Sequence, residues 1–304
     1  MLLFIEQILN GLQLGIMLFL MSAGLTLIFG IMRIINLAHG SFYMIGAYVA
    51  ATVASYTGSF LLGLLAALPA AALVGMLVEV IVFRKLYDRE HLDQVLATFG
   101  LILFFNELTR IIWGRQPLFM DVPSWLPGTV ELIPGAPYPA YRLAIIVVGI
   151  VVALCLYLLF TRTRLGMQIR AGAANREMIT ALGVNIKLLN TLVFGLGTLL
   201  AGLAGVMAGP ILAVEAGMGE SILIMTFVVI VIGGIGSIRG AMIAALLVGL
   251  VDTLGRFLLP ELLRLFLPAA TADGAGISLA SMSVYILMAA ILIWRPRGLF
   301  PVQG

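Results

Sequence analysis

The sequence predicts an all-α integral membrane protein, a polytopic bundle of about nine transmembrane helices, with eight to ten as the range. Of its 304 residues, 62% are hydrophobic and only 10% are charged, where a soluble domain keeps roughly a quarter charged. Mean hydropathy is +1.17. Apolar runs long enough to cross a ~30 Å bilayer core at ~1.5 Å per residue fill the whole length. No room is left for a soluble domain, so residues 1–304 read as one membrane domain.

The net charge of +3 and isoelectric point near 9.2 would suggest nucleic acid in a soluble protein. Here the positive residues flank spans, which makes them a topology signal. Cys155, the single cysteine, excludes an internal disulfide and a cysteine-based metal site. The opening MLLFIEQ lacks a basic n-region and is expected to be an uncleaved first span.

Taken in order, the first span is Ile8–Gly30, rich in Gly and Leu. The second, Ile34–Ser55, opens with polar residues Asn36, His39, Ser41 and Tyr43 at membrane depth, so a broken or re-entrant segment is expected. Phe60–Phe83 is the third, closed by a charged loop. Val95–Trp113 is the fourth. Residues 115–141 hold six prolines and little periodicity, and read as an ordered external loop. Leu143–Phe160 is the fifth span. Leu188–Met207, the sixth, carries Gly195, Gly197, Gly202 and Gly205, with Gly209 just beyond, a pattern for close helix approach. Ser221–Ile235, Ala241–Leu259 and a short Ser283–Trp294 complete the nine.

Between the fifth and sixth spans, residues 162–187 form the longest polar interruption. Arg162, Arg164, Arg170, Arg176 and Lys187 lie in it against one acid, Glu177. The run after Gly166 is proline-free and alanine-rich, and a helix is expected with Ile169, Ala173, Arg176 and Thr180 along one side. Gly183 is its expected C-terminal stop. Placing this loop inside puts 12 of the 17 basic residues on the cytoplasmic side, with the N-terminus outside and the C-terminus inside. A weak internal repeat also shows. At an offset of 180, Asn10, Leu12, Gly15 and Leu20 match Asn190, Leu192, Gly195 and Leu200, so two pseudo-repeats are possible.

No catalytic constellation stands out. His39 and His91 offer no metal spacing. GGIGSIRG at Gly233–Gly240 lacks the lysine and hydroxyl of a phosphate loop, and close packing is the expected role of its glycines. No cofactor is implied. Buried acids would mark an ion-coupled transporter, but each has a basic neighbour: Glu79 with Arg84, Glu107 with Arg110, Asp252 with Arg256. Local ion pairs are the expectation for all three. An exposed basic helix between spans can seat in a groove on a soluble partner; as a plain solvated loop it would only fix topology.

Four stretches carry a resemblance. INLAHGSFYMIGAY from Ile35, the run from Arg162 to Val184, GGIGSIRGAMIAALLVG from Gly233 to Gly249, and RPRGLF near the C-terminus resemble, in order, the branched-chain amino-acid permeases of ABC transporters, LivH type. The resemblance implies an importer's membrane subunit in a bacterial inner membrane. Its partners would be a second homologous permease, two cytoplasmic ATPase subunits and an extracytoplasmic binding protein delivering leucine, isoleucine or valine. ATP hydrolysis would belong to the partner chains. Arg164, Gly166, Arg170, Ala181 and Gly183 would then form the segment that couples to the ATPase. Asn36, His39, Ser41 and Tyr43 would line the translocation path; the competing reading has Asn36 and His39 tying down a broken helix through hydrogen bonds. Permeases for urea and short amides look similar. A gradient-driven secondary transporter remains the alternative from another class.

Overall fold

The computed structural model describes residues 2–87, 89–126, 128–133 and 136–300. Among these, eleven α-helices and one hairpin are present. Seven helices are long and apolar enough to cross a membrane: α1 (Leu2–Met32), α3 (Phe60–Ile81, extended by a 3-10 turn), α4 (His91–Trp113), α5 (Ala140–Arg162), α8 (Ile186–Ala208), α10 (Ile238–Leu263) and α11 (Ala269–Trp294). Two further helices, α2 (His39–Thr57) and α9 (Met218–Gly233), bring the bundle to nine. Two short helices, α6 (Arg164–Ala174) and α7 (Arg176–Ala181), lie between α5 and α8.

Burial sorts the helices into layers. In the most apolar windows of α1 and α8, 83% and 78% of residues are buried, against 17% in α4 and α5. The glycine-bearing helices therefore form the centre and the Leu/Ile/Val-rich ones face lipid. Close approach explains the glycines. A Cβ on Gly46 of α2 would sit 2.5 Å from the Gly202 Cα of α8, and one on Gly11 of α1 would sit 3.0 Å from the Leu250 Cα of α10. In a membrane, such backbone proximity supplies the dispersion that holds helices together.

The packing is duplicated. α1 lies on α10 as α3 lies on α8; α2 packs on α3 and α8 as α9 packs on α10 and α1. Exchanging α1 with α8, α2 with α9 and α3 with α10 maps these contacts onto themselves. Each pair runs in opposite directions: Tyr87, just after α3, touches Met32 at the end of α1, while Arg84 and Glu79 meet Thr191 at the start of α8. The weak repeat between α1 and α8 thus marks an inverted pair of halves. The correspondence is partial at the last helix: α11 touches α9 as α4 touches α2, stacking Trp113 on Tyr48 at 4.8 Å, but α11 lies chiefly along α10.

Several boundaries differ from those the sequence predicts. The second segment becomes helical only at His39, because Arg33 has φ 54 and residues 33–36 are not helical. The ninth span is a full 26-residue helix. Its weakly apolar start is helical because small residues seat it: Gly276 packs on Pro260, and Ala280 on Gly255. The single helix expected across the basic loop is two, broken at Asn175 (φ −150, ψ 104), whose side chain caps α7 by accepting from the Met178 N–H at 2.9 Å. Ile169 and Ala173 therefore share no stripe with Arg176 and Thr180. The proline-rich loop between α4 and α5 contains the hairpin β1 (Thr129–Ile133) and β2 (Ala136–Pro139), and Leu118 bridges to Val214.

Candidate functional site

Two places concentrate polar chemistry: a helix break inside the bundle, and the α6–α7 hairpin at one end. At the break, Gly24 of α1 faces both Gly197 of α8 and the His39 imidazole. α1 continues eight residues beyond Gly24, so α2 begins about 12 Å inside the end of the bundle. Gly40, one residue into α2, presses directly against Gly219, one residue into α9, each backbone filling the other's Cβ position. Two helix N-termini therefore meet within the bundle, and neither has a side-chain cap. Turn bonds take up some of their first N–H groups, those of Ser41 and Glu220 on the Ala38 and Gly217 carbonyls, and the two helix dipoles still direct positive partial charge to that depth.

All four residues singled out around the break are buried: Asn36 and His39 fully, Tyr43 and Ser41 nearly so. Neither side-chain polar atom of Asn36 nor either ring nitrogen of His39 has a hydrogen-bond partner. The imidazole faces the Met21 carbonyl without hydrogen-bond geometry. Asn36 makes no side-chain bond to the freed backbone, and for His39 the Met21 carbonyl is the group that a tie-down of the broken helix would use. Ser41 borders a narrow cleft with Leu37, Met44, Ile102, Glu220 and Leu223, where Glu220 accepts from Asn106 at 2.6 Å.

The hairpin is built by caps and one glycine. Thr163 caps α6 through the Gly166 N–H at 3.1 Å. Gly166 itself packs on the last turn of α5, where no Cβ fits against the Leu159 carbonyl. α7 ends in a left-handed glycine, Gly183 (φ 86), with its N–H on the Thr180 carbonyl and the Val184 N–H on that of Ile179, the arrangement that satisfies a helix's last carbonyls. Arg164, Arg170 and Ala181 are exposed. So are the apolar Met167, Met178 and Leu182, at 59%, 63% and 77%. Arg176, Glu177, Thr180, Ala181 and Ile186 line an open groove beside α7.

The three acids are paired. Arg84 lies 3.3 Å from fully buried Glu79, Arg110 bonds Glu107 and Arg256 reaches Asp252 at 2.9 Å. Tyr87 donates to Glu79 at 2.5 Å. Burial, and then the Glu79 carboxylate, hold this phenol above its usual range, so it stays a donor. The glycines of 233–240 pack as expected: Gly233 against Gly240, with Leu299 and Phe300 of the RPRGLF stretch donating to the Ile232 and Gly233 carbonyls. No group of His, Cys, Asp and Glu among the described residues is placed to hold a metal.

A lipid-facing shell, a glycine-packed inverted core and a polar hairpin at one end define a multi-pass membrane permease. The chain belongs to the family described as the permease component of the branched-chain amino acid transport system, whose sequence model matches residues 7–293. The high-affinity branched-chain amino acid transport system permease protein BraD of Pseudomonas aeruginosa is 30% identical, over 97% of this chain and 95% of the relative. The corresponding LivH of Escherichia coli K12 is 30% identical over 83% and 85%. A more distant relative, the ribose import permease RbsC of E. coli, is 28% identical over 77% and 72%. No solved structure matches the chain.

Proposed function

We propose that this chain is the membrane-spanning permease subunit of an ATP-driven importer of branched-chain amino acids (leucine, isoleucine or valine). It works with a second homologous permease, two ATPase subunits and an extracytoplasmic substrate-binding protein. The single observation that supports docking is the α6–α7 hairpin, which exposes Met178 and Leu182 beside a groove edged by Arg176. Apolar anchors next to a guanidinium are what a protein interface uses. On this reading Arg164, Gly166, Arg170, Ala181 and Gly183 form the coupling segment. Gly166 fixes the hairpin's angle to α5, and Gly183 lets the chain leave α7 directly into α8.

Orientation follows the positive charges. Arg33, Arg84, Arg176, Arg239 and Arg295 cluster at the α7 end of the bundle, while Arg142 bonds Asn10 near the start of α1 at the other. The α7 end is therefore assigned to the cytoplasm of a bacterial inner membrane, with the N-terminus outside. Asn36, His39, Ser41 and Tyr43 are assigned to the translocation path. Four buried polar atoms without partners, next to two helix N-termini, are costly unless something polar visits them.

The deciding experiment is co-purification followed by reconstitution. Two ATPase chains and a second permease should accompany the tagged chain, and leucine uptake should require ATP. A lone chain that transports on a gradient would refute the proposal, and competition by urea or short amides would move the substrate class.

A further inference from the structure

Glu79, at the α7 end of α3, gathers donors from three elements. Its Oε1 accepts from Tyr87 Oη at 2.5 Å, and its Oε2 from Thr191 Oγ1 of α8 at 2.6 Å. Arg84 reaches the same carboxylate at 3.3 Å and also donates to Thr191 at 2.8 Å. On its other side, the Tyr87 ring carries the Arg176 guanidinium at 5.7 Å from its centroid, within cation–π range. Arg176 is the first residue of α7. A continuous chain of contacts therefore runs from α7 through one tyrosine to α3 and α8.

α7 needs such a tie. It has six residues and buries one of them, Ile179, too little apolar contact to fix its own position. Beside Tyr87, two buried atoms have no partner: Arg176 Nε and Asn190 Oδ1, a donor and an acceptor. Asn190 also borders the Tyr87 hydroxyl. An open donor and an open acceptor thus stand around one phenol, the groups that a second hydrogen-bonded arrangement of the cluster would need. Packed clusters with two discrete arrangements are what transmit a displacement.

We propose that Glu79, Tyr87 and Arg176 form a positioning relay that ties α7 to α3 and α8, so that a displacement of α7 is delivered to one helix of each inverted half. The proposal rests on the reading that α7 seats in a partner ATPase. Thr191 and Arg84 hold Glu79 in place and Tyr87 is the joint.

The test uses the complete transporter in proteoliposomes, with labelled leucine uptake and ATP hydrolysis measured in one preparation. Tyr87→Phe and Glu79→Gln are expected to keep the ATPases bound and hydrolysing while leucine imported per ATP falls about tenfold. Arg176→Ala, at the edge of the docking groove, should lower the same ratio in whatever complex assembles, and Arg176→Lys, which keeps a cation over the ring, should recover most of the loss. The double variant Tyr87→Phe/Arg176→Ala should be no worse than the worse single variant, as for residues acting through one chain. An unchanged ratio in Tyr87→Phe, or additive losses in the double variant, would overturn the relay. Should Glu79→Gln fail to assemble, Tyr87→Phe decides, since it removes one oxygen. An unmodified chain that binds no ATPase would sink the functional reading itself, whereas an assembled complex with an unchanged ratio sinks the relay alone.

Discussion

Replacing Gly46 with alanine tests whether backbone contact between α2 and α8 holds the core. The added Cβ would lie 2.5 Å from the Gly202 Cα, 2.6 Å from its carbonyl oxygen and 2.8 Å from its carbonyl carbon. All three are backbone atoms, so no side-chain rotation relieves the clash. Ordinary contact begins at 3.4 Å, so the two helices must separate locally by about 1 Å. A gap of that size forfeits about a quarter to a half of each contact's attraction along the seam. Overpacking of this kind costs about 1–3 kcal/mol, and the upper part of that range applies where only backbone can yield. At about 2 °C per kcal/mol for a chain of this length, the detergent-solubilised protein should melt about 4–6 °C lower. Trp113 reports the change directly, because it stacks on Tyr48 two residues along and donates to Thr52 at 2.6 Å. Gly100→Ala is the control: a Cβ there meets nothing within 4 Å. Equal melting of Gly46→Ala and Gly100→Ala would refute the account of the glycine core.

Three further outcomes are expected. Gly183→Val puts a β-branched residue at φ 86, costing about 1–2 kcal/mol; it should lower leucine uptake while leaving ATP hydrolysis and assembly intact, and Gly183→Asn should be milder, with uptake unchanged in both counting against a role in coupling. His39→Leu, which keeps the buried volume and removes two ring nitrogens that have no partner, should not lower the melting temperature, yet it should reduce uptake; full uptake would remove His39 from the path. Glu107→Gln breaks an exposed pair worth about 0.2–1 kcal/mol and should leave uptake unaltered, whereas abolished uptake in an assembled complex would revive gradient coupling.

Much of the fold was legible because membrane spans follow from apolar length alone. The glycines of α8 announced close packing, and the basic neighbours of Glu79, Glu107 and Asp252 announced their ion pairs. What stayed hidden depended on contacts distant in sequence. The polar start of α11 is helical because α10 offers it Gly255 and Pro260, which no local pattern reveals. The break at Asn175 was readable as a cap, since Asn precedes Arg-Glu-Met as an N-cap would, but the alanine-rich run around it pointed to continuity. The α1–α8 correspondence gave only four matches, whereas its meaning as an inverted pair lies in which helices pack together. Tyr87 escaped notice because nothing in its own stretch signals that a buried carboxylate and a guanidinium reach it from two other elements.

The inverted packing also bears on how such a bundle could move. α1 is locked to α8 and α10 by glycine contacts at backbone distance, and α8 to α3 by glycines seated on the side chains of Ala71, Thr198 and Met76, so each seam resists sliding more than tilting. The helices that begin inside the bundle, α2 and α9, meet at their N-termini, where Gly40 presses on Gly219, with no side-chain cap on either. That junction is where a small change in tilt between the halves would first open a gap, and it is also where Asn36 and His39 hold unpartnered polar atoms. On the proposed reading, α7 would deliver its displacement to α3 in one half and α8 in the other. One displacement would then act on the C-terminal end of α3 in one half and on the N-terminal end of α8 in the other, and so tilt the two halves against each other. Gly40→Ala, whose Cβ would meet the Gly219 carbonyl, should therefore wedge the junction apart and lower uptake without blocking ATP binding; unchanged uptake would show that the path runs elsewhere.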